Sequence, residues 1–260
     1  MNNYKKFKDE IFLNQAIQYQ DSLMRNISYE FMCKSFAHKY SYNFEAMGRP
    51  IIQMPQDIVA LQEIIWNVRP DIIIETGIAH GGSLIMNASS LALLDICDAI
   101  DSGKKFDPIK SKRKVVGIDV DIRPHNRNAI ENHPMHSRIE MIEGSSISAD
   151  IIKKVENIAK DYEKVLVCLD SNHTHEHVIS ELNAYANLVS VGSYCIVYDT
   201  IIEELPEDMF PDRPWEPGNS PLSAVKEFLN SDDSFIIDER IHQKLLISVA
   251  KEGYLKRIKK

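Results

Sequence analysis

The chain has 260 residues, 44% of them hydrophobic and 26% charged, which is enough for one large α/β domain with a full core and an appendage. Thirty Lys and Arg against 38 Asp and Glu leave a formal net charge of −8, which argues against a generally basic surface and against nucleic acid as a partner. No stretch reaches the ~18 consecutive apolar residues of a membrane span. The polar start MNNYKKFKDE carries no signal-peptide core, and Cys33, Cys97, Cys168 and Cys195 form no CxxC pair, so a reduced, cytoplasmic protein is expected.

Residues 1–47 mix charges, aromatics and scattered Ile/Leu without Gly or Pro, and predict one or two weakly amphipathic helices. The segment 47–57, MGRPIIQMPQD, is punctuated by Gly48, Pro50 and Pro55 and predicts a loop. A helix over about 58–68 should stop at Arg69-Pro70. From residue 71 short apolar runs alternate with helical stretches. The runs are 71–75 (DIIIE), 115–119 (VVGID), 138–143 (RIEMIE), 165–170 (VLVCLD), 193–199 (SYCIVYD), 235–238 and 245–250. Helices are expected near 82–99, 124–132, 148–160 and 175–189. Strands rich in Val and Ile on both faces, separated by helices, predict a mostly parallel sheet covered on both sides, a Rossmann-like doubly wound α/β fold. The last two runs predict an antiparallel hairpin at its edge. Residues 1–69 then form an N-terminal helical extension ending in a covering loop, and residues 70–260 the main domain.

Carboxylates end the first five runs: Glu75, Asp119, Glu143, Asp170 and Asp199. Open α/β sheets bind ligands outside the carboxyl ends of their strands. Some of these acids can be helix caps and turn formers. Five together repel one another unless cations or hydrogen-bond donors meet them, so this edge is the expected site. The first strand runs into ETGIAHGGS, where Gly77 permits a tight turn and Gly81 and Gly82 let a ligand lie on a helix N-terminus beside Ser83. The spacing is neither GxGxxG nor a nucleotide-triphosphate loop. Glu75 would repel a pyrophosphate but suits a cationic amine or sulfonium. Asp119 can accept from ribose hydroxyls, and the turn Glu143-Gly144-Ser145-Ser146 can edge an adenine. That is the layout of an S-adenosylmethionine site. The stretch 101–113, DSGKKFDPIKSKR, reads as an inserted surface loop.

ETGIAHGGS, GIDVDIR, LDSNHTHEHV and DRPWEPGNSP together resemble the cephalosporin hydroxylase family over about residues 48–250. That family is similar to S-adenosylmethionine-dependent, magnesium-assisted O-methyltransferases, including those of macrolide sugars. The resemblance implies a magnesium site on Asp170 and Asp199 and a general-base His173, in an Asp-x-x-His arrangement with Asp170. The loop 49–57, which precedes the first strand, is expected to close over the cofactor with Gln53 as a contact, and residues 70–260 to be the S-adenosylmethionine-binding methyltransferase domain. Relatives carry Glu-Asp at the second strand end where this chain has Tyr198-Asp199, so one carboxylate is missing; Glu203, Asn172 or water could replace it.

A metal and a histidine on one acceptor are chemically sensible. A sugar hydroxyl titrates above ~12 and free His near ~6.5, so His alone is a poor match, and a metal on the same oxygen closes part of the gap. His173, His175 and His177 could instead hold zinc as a hydrolase does, but alternate residues of a starting helix point apart, so His175 and His177 are expected on the helix surface. An iron hydroxylase would need two His and a carboxylate, for which the spacing offers little. A cofactor-binding subunit without turnover is the other alternative. Residues 200–220 form a long loop that reads as a lid, with Trp215 to stack on a sugar face and Arg213 as its one cation among acids. The expected acceptor is a sugar, sugar nucleotide or glycoconjugate precursor, and the expected assembly a homo-oligomer.

Overall fold

The computed structural model describes residues 3–259. Two helices open it, α1 (Asn3–Gln20) and α2 (Ser22–Ala37), separated where Asp21 accepts from Leu23 N and Met24 N and caps the second. A short hairpin follows, β1 (Phe44–Ala46) and β2 (Arg49–Ile51), and then α3 (Pro55–Val68). The segment 47–57 is therefore not all loop. Pro50 lies in a two-stranded ribbon, where a missing N–H is tolerated, and Pro55 starts α3 at a position whose N–H has no helical partner.

The remaining elements alternate: β3 (Ile72–Thr76), α4 (Gly82–Ser102), β4 (Lys114–Asp119), α5 (Pro124–Glu131), β5 (Ile139–Glu143), α6 (Ala149–Ala159), β6 (Val165–Leu169), α7 (His175–Tyr185), β7 (Tyr194–Val197), α8 (Pro221–Ser231), β8 (Phe235–Ile237), α9 (Glu239–Leu245) and β9 (Tyr254–Arg257). The sheet order is β5-β4-β3-β6-β7-β9-β8, parallel through β7, with β9 antiparallel to both neighbours. This is the expected Rossmann-like fold. Alternation within the strands feeds two cores. Ile73, Val115, Leu166, Cys168 and Ile196 pack under α3 and α4, whereas Ile72, Ile74, Val116, Val165, Val167 and Cys195 pack under α6, α7 and α8. The helix α4 is long and apolar enough to cross a membrane by length and composition, but Leu84, Ile85, Ala88 and Leu91 are buried in the first core, as befits a core helix. All four cysteines are free.

Two expectations fail. The run 245–250 is not a strand: it ends α9 and turns, with Leu246 at φ 58, and the strand of the edge pair is Tyr254–Arg257. The apolar run is buried instead by its bonds to α3, since Ser248 Oγ and Val249 N both donate to Asp57. The other is the unforeseen α8, which Ser220 starts with a capping box and Pro221 at N1.

At the far end of α4, Asp95 accepts from Ser111 Oγ, Arg113 Nη1 and Arg138 Nη1, tying the helix to the starts of β4 and β5. The Arg138 side chain is 3% exposed. Replacing one partner of a buried pair leaves the other charge uncompensated. Asp95→Ala should therefore lower stability by about 3–5 kcal/mol in urea unfolding; a loss within the range of a surface substitution would refute the network's role.

Candidate active site

The chain steps outward from β3 to β4 and β5, then returns to β6 and β7, so its switch point lies between β3 and β6. Gly77, at φ 88, closes that point: a Cβ there would lie 2.1 Å from the Asp170 carbonyl. Gly81 follows at φ 82 and α4 begins at Gly82, where a Cβ would meet the Pro50 carbonyl at 2.3 Å. The strand β2 thus lies directly on the N-terminus of α4. Arg49 fastens it, donating to His80 O (2.7 Å) and Asn126 Oδ1 (3.0 Å), while Asn126 Nδ2 donates to Ala79 O.

Between these walls lies a cavity of about 50 Å³, lined by Pro50–Gln53, Gly77–His80, Gly82, Ser83 and Asp170. Gln53 is 4% exposed and its Oε1 has no hydrogen-bond partner, an acceptor waiting for a donor. A cleft of about 910 Å³ beside α1 and α3 shares no residue with this cavity. Asp119 sits behind the turn. Its Oδ2 accepts from Ile78 N (2.8 Å) and Ala79 N (3.2 Å), and its Oδ1 from Asp121 N (3.1 Å). In this state the carboxylate holds the turn, with one acceptor position left on Oδ1. Gly144 N donates to Asp119 O, which brings the Gly144-Ser145 turn alongside.

Glu75 does not line the cavity. It is 3% exposed and accepts from Ser83 Oγ and Asn87 Nδ2, so Ser83 stands between its carboxylate and the cavity. Burial pushes its pKa up to about 7 against the pull of those two donors. Asn87 was not foreseen; its signal is a polar side chain one turn after Ser83 in an otherwise apolar helix face.

Beyond the turn, adjacent strands bring Asp170 and Asp199 together. Ligand atoms of Asp170, His173 and Asp199 lie within 4.8 Å of one another. His173 Nε2 is 3.2 Å from Asp199 Oδ2. Burial and the Asp199, Glu75, Glu181 and Asp57 carboxylates raise Asp170 well above the carboxylate range. Asp199 itself has φ 55. The loop 200–220 lies over this edge. Trp215 packs edge-on against His173 at 6.0 Å between centroids, Phe210 against Trp215 at 5.1 Å, and Phe36 of α2 against Phe210 at 5.9 Å. Arg213 is exposed.

Several expected participants are elsewhere. Glu143 pairs with Arg127 at 2.7 Å. Glu203 accepts from Gly218 N and Ser220 Oγ, and Asn172 from Thr174 N and Oγ1, so both serve local turns. Tyr198 is buried in the first core with its hydroxyl unpartnered. His175 and His177 are not plain surface residues. His175 contacts Ser223 Oγ and Glu227 Oε2 on α8, and His177 Nε2 meets Ser146, Ser171 and the buried Glu181. Their partners diverge, so among the described residues the three histidines form no metal cluster.

The raised Glu75 makes stability pH-dependent. The folded protein keeps a proton that the unfolded chain releases, so stability falls as pH rises from about 4.5 to about 7. Gln at this position can donate to Ser83 Oγ and accept from Asn87. Glu75→Gln should match wild type at pH 5 and exceed it by up to about 3 kcal/mol at pH 8 in urea unfolding. Parallel stability curves for the two proteins would show that Glu75 does not titrate in this range.

Comparison with known proteins agrees with this geometry. The family profile described as Rhamnosyl O-methyltransferase/CmcI matches residues 38–258. Rhamnosyl O-methyltransferase of Mycobacterium tuberculosis is 26% identical over 162 residues, which is 62% of this chain and 58% of that protein. The Mycobacterium leprae protein of the same name is 25% identical over 155 residues, 59% of each. This chain therefore spans less than two thirds of the curated relatives it matches. Among solved structures, apo CmcI has a TM-score of 0.51 at 17% identity, covering 84% of this chain and 78% of that one. A CmcI structure titled with Mg and SAM has a TM-score of 0.50 at the same identity and coverage. These likenesses establish the fold. The profile runs from the end of α2 through β9 and takes in both the glycine turn and the acidic edge: the chain belongs to the rhamnosyl O-methyltransferase/CmcI family.

Proposed function

We propose that this protein is an S-adenosylmethionine-dependent O-methyltransferase that methylates a hydroxyl of a sugar, glycoconjugate precursor or similar polyhydroxylated small molecule. The observation that carries the reading is the convergence of Asp170, His173 and Asp199 at the strand ends, next to the glycine-turn cavity. The family's name and the Mg and SAM in the CmcI structure support it. The cofactor lies on Gly77, Gly81, Gly82 and Ser83, with Gln53 covering it and Asp119, Gly144 and Ser145 at its nucleoside end. The unpartnered Gln53 Oε1 fits a ligand donor. Glu75 acts through Ser83: a cationic ligand favours its ionised form, which burial alone disfavours.

Asp170 and Asp199 hold Mg2+, since two carboxylates with room for water suit a hard cation. When bound, S-adenosylmethionine supplies a methyl group on a sulfonium, and Mg2+ lowers the pKa of the acceptor oxygen. His173 takes the acceptor's proton. In the tautomer that pairs with Asp199, Nε2 carries the hydrogen and Nδ1 keeps the lone pair, so Asp199 also orients the base. Trp215 and Phe210 offer an apolar wall to a sugar face, and Arg213 a cation at the rim. Attack is an in-line displacement, so holding the acceptor against His173 supplies much of the rate. Tyr198 in place of a carboxylate is what favours the second reading, a cofactor-binding subunit without turnover. A single-turnover assay with a panel of sugar acceptors separates the two.

The division into an extension, residues 1–69, and a methyltransferase domain, residues 70–260, belongs to this proposal, as does a cytoplasmic location for a protein whose four cysteines are free. So does a homo-oligomer. Phe7, Phe12, Leu13, Ile17, Leu23, Met24, Ile27 and Phe31 of α1 and α2 are each between 38% and 65% exposed. At roughly 150–250 Å² for a large side chain they expose about 800 Å² in all, spread around both helices. Leu23, Ile27 and Phe31 share one face of α2 by their spacing, and a second copy of this chain is the occupant that surface fits.

His173→Ala should lower kcat by ~10²–10⁴ and leave S-adenosylhomocysteine affinity nearly intact. Chelation should stop turnover, and Mg2+ should restore it better than zinc, because most ligands are oxygens. Full activity after exhaustive chelation would refute the metal's part, and an unchanged rate in His173→Ala the base's. By sedimentation, wild type should run above monomer mass and the double variant Leu23→Glu, Ile27→Glu as a folded monomer; a monomeric wild type ends the interface reading.

A further inference from the structure

Asp199 occupies the left-handed region, where a residue with a Cβ is strained and persists only when its surroundings hold it. The chain before it is bound to β6 by Tyr198 N, which donates to Leu169 O (3.0 Å), and to the stretch 246–253 by Val197 N, which donates to Gly253 O (2.8 Å). After Asp199 the bonds run almost wholly to that stretch. Thr200 Oγ1 donates to Lys251 O (2.5 Å) and Val249 O (3.2 Å), and Ile201 N donates to Val249 O (3.2 Å). The Tyr198 hydroxyl adds nothing, having no partner. The geometry of Asp199 therefore depends on a segment that is itself irregular, with Leu246 at φ 58 and Glu252 at φ 60.

One side chain fixes that segment. Asp57, fully buried at the start of α3, accepts from Ser248 Oγ (2.6 Å), Val249 N (2.8 Å) and Tyr254 Oη (2.7 Å). Ala250 N donates to Ser248 Oγ (3.0 Å) and closes the turn. A carboxylate buried without a counter-ion persists only with a full set of donors, and here all three come from or next to the segment that holds Asp199. We propose that Asp57 is a positioning residue for the acidic edge: it pins the 246–250 turn, and through Val249 and Thr200 that turn holds Asp199 in the conformation that faces Asp170 and His173. The inference rests on the preceding reading only in taking Asp199 as a cation ligand.

The test uses the full chain, stripped of metal, with three variants. Asp57→Ala removes the pin, Asp57→Asn keeps one acceptor, and Thr200→Val cuts the far end of the relay at equal volume. Amide exchange without cation should accelerate about tenfold or more at Ile201 and Ile202 in Asp57→Ala and Thr200→Val, and less in Asp57→Asn, while Ile74 and Val167 in the sheet centre keep their rates. Calorimetric Mg2+ affinity should fall about tenfold in the same order, with S-adenosylhomocysteine affinity within about twofold of wild type. Exchange that rises uniformly over the sheet, with Mg2+ affinity unchanged, would make Asp57 merely structural and overturn the proposal. If Asp57→Ala does not fold, the other two variants decide. If wild type binds no Mg2+, the cation reading fails, and unchanged exchange at Ile201 and Ile202 in Thr200→Val and Asp57→Asn would still overturn the positioning role on its own.

Discussion

The Asp170 carbonyl and the Cα of Gly77 are so close that no side chain fits between them. That contact joins the ends of β3 and β6 at the point where the sheet reverses its direction of growth. It puts the first residue of the acidic edge on the wall of the cavity beside the glycine turn, because Asp170 lines both. The Gly82 contact with the Pro50 carbonyl does the same on the other side and brings Gln53 over the cavity. Two missing Cβ atoms thus decide how near a ligand in the turn lies to the carboxylates.

The acids at this edge differ in what balances them. Asp119 is satisfied by three backbone N–H groups, and Glu143 by Arg127. Glu75 has two side-chain donors and a proton affinity raised by burial. Asp57, off the edge but near enough to feel Asp199, has three donors. Asp170 is buried among other carboxylates, and Asp199 faces the imidazole of His173. The two carboxylates that share one space, Asp170 and Asp199, are thus the ones with the fewest hydrogen-bond donors around them.

The strands β3, β4, β6 and β7 were legible because each is apolar on both faces and runs into an acid. The edge was not. The run 245–250 looks like a strand by composition, yet its apolar side chains are buried against α3 by bonds to Asp57, whereas β9 runs from buried Tyr254 and Leu255 into half-buried Lys256 and Arg257 and hides in a basic tail. The trio Asp170, His173 and Asp199 could be named from strand ends and resemblance. The partners of His175 and His177 could not, because Ser223, Glu227 and Ser146 are distant in sequence and meet them only through the packing of α7 on α8 and on the turn after β5. Asp57 was hidden for a similar reason: in sequence it is one acid in the first turn of a helix, where the helix dipole alone would account for it.

Tyr198 gives the last constraint its direction. Its side chain packs with Ile196 and Tyr254 in the first core, as strand alternation dictates for residues two apart. A carboxylate in that orientation would be buried beside Asp57, where a second unpaired charge is costly, so an aromatic ring suits this backbone better than the Glu that the resemblance leads one to expect. The left-handed turn at Asp199 then sends the next side chain away from the core and toward His173, at 3.2 Å. The imidazole thus stands beside both carboxylates, with the ligand atoms of all three residues within 4.8 Å of one another. The buried ring of Tyr198 and the closeness of His173 to Asp199 are consequences of the same corner in the chain.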